Sequence, residues 1–241
     1  GQDIAAYLGD LPRDLRQHAF FVRHGETLGV VGDGVLAQVN NAATPTYSGT
    51  LTLNGSATLS MNGAAGSESA VTGASSVTME AGSKIVINVN SNFALPPITL
   101  AGEASIDTIF GASDWQTTEI TEISGAHVLT LSGFNGHTYR FTSANTFSEL
   151  IANAIDRYCI HAEAAGSLGT GDVTVHPRDD GRSAVIVIEA EDAMADTATL
   201  TLNGSGWNNS DKGPHAGTSY RIVMNADDTV AALIADGVEM A

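Results

Sequence analysis

Between Ala42 and Ala112 the chain alternates apolar and polar residues over short runs. Thr50–Gly55 reads TLTLNG and Lys84–Asn90 reads KIVINVN. Alternation of this kind, rich in Thr, Val and Ile, predicts strands with one buried face, and the Asn-Gly or Ala-Gly pairs that follow predict tight turns. We therefore expect a β-solenoid or β-prism in this region, and a sandwich is the alternative.

The pattern after Ser113 predicts helices as well as strands. A hairpin is expected to turn at Asn135–Gly136, and a helix is expected to begin at Thr146, with Glu149 completing a capping box. The apolar face of that helix would comprise Phe147, Leu150, Ile151, Ala154, Ile155, Tyr158 and Ala162. Cys159 lies on the same predicted helix, where it is interpreted as a small buried hydrophobe.

A second unit of the same kind is predicted further along the chain. A second hairpin is expected across Asp179–Gly181. The segment Thr199–Gly204 then repeats Thr50–Gly55 letter for letter, and Ser219–Val238 parallels Thr138–Ile155, with Tyr-Arg followed by an apolar Leu-Ile-Ala segment. These similarities predict two related hairpin–helix units.

Taken together, the patterns predict a mainly β protein with a C-terminal α+β module. Residues 1–41 are expected to form an extended N-terminal arm. Residues 42–112 are expected to form a low-charge β domain, and residues 113–241 an α+β domain.

Composition changes this picture by limiting the core. Charged residues make up 15% of the 241 positions, against about 25% in an average domain, and aromatic residues make up 6%. A β body with so few bulky side chains has difficulty burying a core alone, and its strands leave open edges. We therefore expect identical chains to associate, most simply as a homotrimer.

Net charge excludes some partners. The chain has 27 acidic and 10 basic residues, a formal net charge of −17. Such a chain repels nucleic acid and anionic lipid, so neither is expected as a partner. No apolar run approaches the roughly 20 residues that a membrane-spanning helix needs.

The box Arg23-His24-Gly25-Glu26-Thr27 resembles the signature of histidine phosphatases and phosphoglycerate mutases. The resemblance implies that His24 would take up a phosphoryl group and that Arg23 would bind phosphate. The sequence departs from that family beyond the box, because a glycine-rich stretch replaces the expected helix and no further arginine occurs before Arg140. We interpret the box as coincidental and expect no enzymatic activity, with phosphoryl transfer as the alternative.

Other candidate chemistry is sparse. The seven histidines lack the paired spacing of metal ligands and are interpreted as surface residues. Acidic clusters at Asp179–Asp180, Glu189–Asp192 and Asp227–Asp228 lack the ligand pattern of known calcium loops, so calcium is an alternative and not the expectation. No metal or cofactor is predicted.

In overall style, the Thr- and Gly-rich β segments joined to small hairpin–helix units resemble the virion proteins of tailed phages. The resemblance implies a capsid decoration (cement) protein that is assembled in the host cytoplasm and binds the major capsid protein on the capsid surface. A tail fibre, a spike or a surface adhesin is the alternative. The residues expected at interfaces are Phe20, Phe21, Val22 and Trp207.

Overall fold

The computed structural model describes much of the chain after residue 27, in ten stretches. They are residues 28–30, 36–40, 49–63, 74–89, 91–108, 116–132, 136–155, 157–177, 184–203 and 220–240. All the regular elements in these stretches are strands. The mainly β character predicted from the alternation is therefore confirmed.

The first eleven strands are short and closely spaced along the chain. They are β1 (Leu28–Val30), β2 (Leu36–Asn40), β3 (Thr50–Leu53), β4 (Thr58–Gly63), β5 (Ser76–Met79), β6 (Lys84–Val89), β7 (Phe93–Leu95), β8 (Ile98–Leu100), β9 (Ala104–Thr108), β10 (Thr117–Ile120) and β11 (Ile123–Ser124).

The remaining ten strands include the longest strand among the described residues. They are β12 (Val128–Ser132), β13 (Thr138–Phe141), β14 (Glu149–Ile155), β15 (Arg157–Ala162), β16 (Val173–Pro177), β17 (Ala184–Ile188), β18 (Thr199–Leu202), β19 (Tyr220–Met224), β20 (Ala232–Ala235) and β21 (Val238–Met240).

The strands form three sheets whose neighbours come from successive coils of the chain. Sheet A has the order β1-β3-β5-β8-β11, sheet B the order β2-β4-β6-β9-β12-β14-β16-β18-β20-β21, and sheet C the order β19-β17-β15-β13-β10-β7. Each described pair is parallel except β20 with β21. From β1 to β20, consecutive strands lie in different sheets. The chain therefore winds as a β-solenoid, as predicted for residues 42–112.

The register shows that the coils differ in length. Leu51 pairs with Val77, a separation of 26 residues, and Leu129 pairs with Leu150, a separation of 21. Adjacent strands lie about 4.8 Å apart, so the ten strands of sheet B extend for about 40 Å.

The interior is filled by the inward residues of every coil. Along β6, Ile85, Ile87 and Val89 are fully buried while the residues between them are half-buried on the outer face. Aliphatic side chains form most of this core. The largest buried side chains are Tyr139, Phe141 and Phe147, and the last two meet edge-to-face at 6.2 Å between ring centroids. Stacked coils thus give one another the apolar contacts that a single short strand lacks.

The helix predicted from Thr146 is wrong, because these residues form β14 and β15. β14 lies between β12 and β16, so its backbone is hydrogen-bonded to strands on both sides. Leu150 and Ala152 point inward, and Ile151 and Asn153 alternate with them on the outer face. The spacing of the apolar residues fits both the period of a helix and the alternation of a strand. Pairing with the neighbouring coils favours the strand.

The supposed capping threonine has a different role. The amide of Thr146 donates to the carbonyl of Ile123 at 2.9 Å, and its hydroxyl accepts from the amide of Gly125 at 3.0 Å. Both bonds join neighbouring coils, so Thr146 stabilises the stack and does not start a helix.

The predicted hairpins and the second helix are also wrong. β12 and β13 lie in sheets B and C, as do β16 and β17, so each connection is a corner between sheets. Ala232–Ala235, in the second predicted helix, is a strand of sheet B. The strands on either side of each predicted turn pair with other coils and not with each other.

The described stretches contain no helix of the length and apolarity that crossing a membrane requires. Sheet B runs through residues on both sides of position 112. The predicted domain boundaries near residues 41 and 112 stay predictions.

Candidate functional surfaces of the solenoid

The outer face of sheet A carries rows of hydroxyl groups. Thr52, Thr78, Thr99 and Ser124 lie in register on successive strands. The hydroxyls of Thr99 and Ser124 lie 3.2 Å apart, within hydrogen-bond distance. Parallel stacking of similar coils produces this row, which gives the face a neutral, polar surface.

The outer face of sheet C carries a row of charges centred on Arg140. Its Nε and Nη2 donate to the two carboxylate oxygens of Glu163 at 2.7 and 2.6 Å, and Nη1 lies 3.8 Å from Glu119. The hydrogen bond from Arg140 lowers the pKa of Glu163, and the reciprocal bond raises the pKa of Arg140. The cation is thus held between carboxylates of neighbouring coils.

The row of polar groups continues toward the C-terminal coils. His161 Nδ1 lies 3.8 Å from a carboxylate oxygen of Glu189, and Asn225 Nδ2 donates to the other oxygen at 3.1 Å. These contacts join residues far apart in sequence. They crosslink successive coils along the solenoid axis.

A groove lies on the outer face of sheet B. It has a volume of about 420 Å³ and crosses β6, β9, β12 and β14. Its lining consists of Gly82, Ser83, Lys84, Glu103, Ala104, Ser105, Asp107, Thr130, Ser132 and Asn153. The groove follows from the sequence of the outward positions, because short serines and threonines lie between longer charged and amide side chains.

An ion pair lies in this groove. Lys84 Nζ is 2.7 Å from Asp107 Oδ2, and their side chains are 41% and 20% exposed. Lys84 is the only basic residue between Arg23 and Arg140. The single cation of this long stretch therefore lies in the groove, paired with a carboxylate of the next coil.

A buried amide lies in the connection between β13 and β14. Asn145 Oδ1 accepts from the amide of Ile123 at 2.5 Å, and Nδ2 donates to the carbonyl of Ser167 at 2.6 Å. Asn145 is 3% exposed. One side chain thus satisfies backbone groups of the coils on both sides of it, which is a structural role.

Two of the acidic clusters, Glu189–Asp192 and Asp227–Asp228, lie between strands of the C-terminal coils. Asp228 accepts from the amides of Met194 and Thr229 at 3.1 and 2.9 Å. Burial raises the pKa of Asp228, and the nearby carboxylates of Asp192 and Asp196 raise it further, against the lowering effect of the two amides. Among the described residues, no group of three or more His, Cys, Asp or Glu side chains could hold a metal ion.

Among the histidines that the structure describes, one differs from the predicted surface position. His137 is fully buried, lies with Nε2 3.0 Å from Thr118 Oγ1, and packs against the ring of Tyr139 at 5.1 Å. Interpretation of His137 as a surface residue is therefore wrong, because the coil turns its side chain into the core. His176 lies in β16, immediately before Pro177.

Several residues singled out in the sequence lie outside the described part of the structure. They are the predicted interface residues Phe20, Phe21, Val22 and Trp207, the box residues Arg23 and His24, the cluster Asp179–Asp180, and the side chain of Cys159. The interface and phosphatase interpretations stay predictions.

Sequence reasoning missed the groove as a site. The available signal was a lone lysine in a charge-poor stretch, together with Ser, Thr and Asp at outward positions of predicted strands. The register brings Lys84 beside Ser105 of the next coil. The coils differ in length, so this register could not be read from the pattern.

Comparisons with protein families, curated proteins and solved structures found no match.

Proposed function

We propose that the protein is a non-enzymatic β-solenoid rod of the tail-fibre, spike or surface-adhesin type, which binds a receptor through its outer faces. The observation that carries the proposal is the continuous sheet B, about 40 Å long, over a core filled by inward aliphatic residues. Because each coil contacts only its neighbours, this architecture adds length without requiring a new core.

The surface chemistry supports the same proposal. Sheet A presents hydroxyl rows, sheet C presents crosslinked charges, and sheet B presents a polar groove. Polar faces of this kind remain hydrated along the length of a rod, while the groove offers a place for recognition.

The capsid decoration role predicted from the sequence stays a prediction, as does the binding of a major capsid protein. A rod with a lateral groove favours the alternative, because its recognition surface runs along the axis and is available when the rod projects from a surface.

Immunogold electron microscopy tests the proposal. An antibody against the described solenoid would be applied to the native particles or cells that carry the chain. We expect gold on projecting fibres, on spikes or at a cell surface. Uniform gold over a capsid shell would instead support the decoration protein. Hydrolysis of an aryl phosphate that is lost in His24→Ala would contradict a non-enzymatic role.

A further inference from the structure

We propose that the outer edge of β21 binds an extended segment of a partner protein in which apolar and basic residues alternate. The segment would add one strand to sheet B, with its apolar side chains on the core side and its basic side chains on the outer face. This inference concerns how the solenoid is joined to another protein. It goes beyond receptor binding by the lateral faces and does not rest on it.

Apolar side chains are exposed in the last strands of the solenoid. Met224 of β19 is 50% exposed, and Val238 and Met240 of β21 are 63% and 53% exposed. In the preceding strand of sheet B, by contrast, Leu200 and Leu202 are buried. Large apolar residues that are concentrated at one place on a polar surface mark an interaction site.

The register places these exposed side chains on the core side of their sheets. Met224 pairs with the fully buried Ile188 of the neighbouring strand. Met240 pairs with Leu233, which packs against the core. Val238 lies two residues before Met240 and therefore on the same face of β21. Among the described residues, no further coil covers this side of the last strands, so the core is open here.

The backbone of β21 provides a second element of the site. β21 is the outermost strand of sheet B, and no strand of the described stretches pairs with its outer edge. Such an edge is a template for a further strand, whose backbone hydrogen bonds contribute affinity. The side chains of an added strand alternate between the two faces, so every second one would lie beside Val238 and Met240 on the core side.

Charge indicates the chemistry of the alternate positions. Glu239 lies on the outer face of β21 and is exposed, and Asp227, shortly before β20, is exposed as well. Burial raises the pKa of Asp228, and the carboxylates of Asp192 and Asp196 raise it further, although two backbone amides lower it. Negative charge is thus concentrated near this edge. A basic residue opposite Glu239 would form a favourable cross-strand pair.

A second copy of the chain fits this edge less well than a basic partner. Antiparallel pairing of two β21 strands about Glu239 would place two glutamates directly opposite each other, and like charges in that position destabilise a sheet. Each copy also carries a formal net charge of −17, which adds long-range repulsion. The charges therefore favour a partner that brings basic residues.

Binding of short peptides to the full chain, measured by fluorescence anisotropy, tests the site. The probes are labelled peptides of equal length that alternate valine with lysine, valine with glutamate, or serine with lysine. We expect the valine–lysine peptide to bind and the valine–glutamate peptide not to bind. The serine–lysine peptide should bind at least about tenfold more weakly, because it lacks the apolar contacts. Failure of the valine–lysine peptide to bind, or equal binding of the two lysine peptides, would overturn the inference.

A pair of charge reversals tests the role of Glu239. Glu239→Lys should weaken binding of the valine–lysine peptide by about threefold to tenfold, because a favourable cross-strand pair becomes a repulsive one. Glu122→Lys is the matched control, since it changes the net charge equally at an exposed position between β10 and β11. Its effect should be less than about twofold. Equal effects of the two reversals would show attraction by net charge alone and would contradict strand addition at β21.

A second set of variants tests the apolar contacts. The double change Val238→Thr with Met240→Gln should weaken binding of the valine–lysine peptide at least about fivefold, because it removes the apolar side of the edge. Val128→Thr, on the outer face of sheet B, is the control and should leave the affinity unchanged. Thermal melting checks that these variants fold, and unchanged binding by a folded double variant would exclude this edge as the site.

Analytical ultracentrifugation distinguishes the remaining occupant. We expect the chain alone to show no association that depends on Val238 and Met240. A dimer that the double variant abolishes would assign the edge to a second copy of the chain and would refute the basic partner.

Discussion

Two segments of identical sequence, Thr50–Gly55 and Thr199–Gly204, lie in different sheets of the solenoid. The first supplies β3 in sheet A, and the second supplies β18 in sheet B. Both strands bury their two leucines and leave their threonines half-buried on the outer face. Local alternation therefore determines that the segment forms a strand and which of its sides faces inward. Contacts outside the segment determine which sheet the strand joins.

Contacts with neighbouring coils account for the difference. In the first copy, the amide of Gly55 donates to a carboxylate oxygen of Glu80 in the next coil at 3.0 Å. In the second copy, the amide of Thr199 donates to Asp172 at 2.7 Å, and the amide of Asn203 donates to the carbonyl of Val175 at 2.9 Å. The partners that fix each copy are distant in sequence and differ between the copies.

The largest expected effect comes from truncating a leucine in each copy. Leu53→Ala and Leu202→Ala should each lower the free energy of unfolding by about 2–5 kcal/mol, because each removes buried apolar contacts and leaves a cavity. The loss for Leu53→Ala should lie at the upper end of this range, because Leu53 is fully buried beside Met79. Leu202 pairs with Ala235 of the half-exposed β20, where the site can collapse more easily. Urea unfolding measures both values.

The threonine between the leucines is the control in each copy. Thr52→Ala and Thr201→Ala remove outward side chains, so each should change the free energy of unfolding by less than about 0.5 kcal/mol. A threonine effect as large as its leucine effect would show that the inward and outward faces are assigned incorrectly.

An intermediate effect is expected at Asn145, which lies between the two copies in the sequence and joins neighbouring coils. Asn145→Ala removes an amide that serves Ile123 and Ser167, leaving buried backbone groups unpaired, and should destabilise by about 1–3 kcal/mol. The exposed Asn225 is the control, and Asn225→Ala should have a much smaller effect. Amide hydrogen exchange should show the loss of protection at Ile123 first. Unchanged protection there would contradict a bridging role.

The smallest effect concerns pH and the row of charges on sheet C. At neutral pH, Glu163→Gln should destabilise by about 0.5–1 kcal/mol, because it breaks a bidentate but solvent-accessible pair with Arg140. The folded-state pKa of Glu163 is lowered, so its contribution is present above the ordinary glutamate pKa and is lost as pH falls through the lowered value. Urea midpoints of both proteins should converge in acid. A difference between the two midpoints that persists below that pKa would exclude this ion pair as its cause. Glu122→Gln, at an exposed position, is the control.

The same comparison explains which parts of the fold were predictable. Residues 50–55 and 84–89 alternate cleanly and were recognised as strands. Residues 146–155 were not, because Phe147, Leu150 and Ile151 also fit one face of a helix. Only the coils on either side, through pairs such as Leu129 with Leu150 and Leu150 with Val173, favour the strand. Such pairs depend on coil lengths that a single sequence does not display.

The groove was less predictable than the strands. Its polar residues come from four different coils, and each is unremarkable in its own segment.

The structure also changes the argument for a homotrimer. The sequence suggested that a body poor in aromatic residues needs companions to complete its core. Within the described chain, however, stacked coils bury aliphatic residues against one another, including Ile85, Ile106 and Leu131. Self-association stays a prediction, but filling the core does not require it.

The scarcity of basic residues has a consequence for durability. Trypsin-like proteases cut after lysine or arginine, and between Arg23 and Arg140 they find only Lys84. That residue begins β6, whose backbone pairs with β4 and β9, so the peptide bond cannot enter a protease without opening two neighbouring coils. The one lysine or arginine of this long stretch is thus protected from cleavage by the same register that builds the groove.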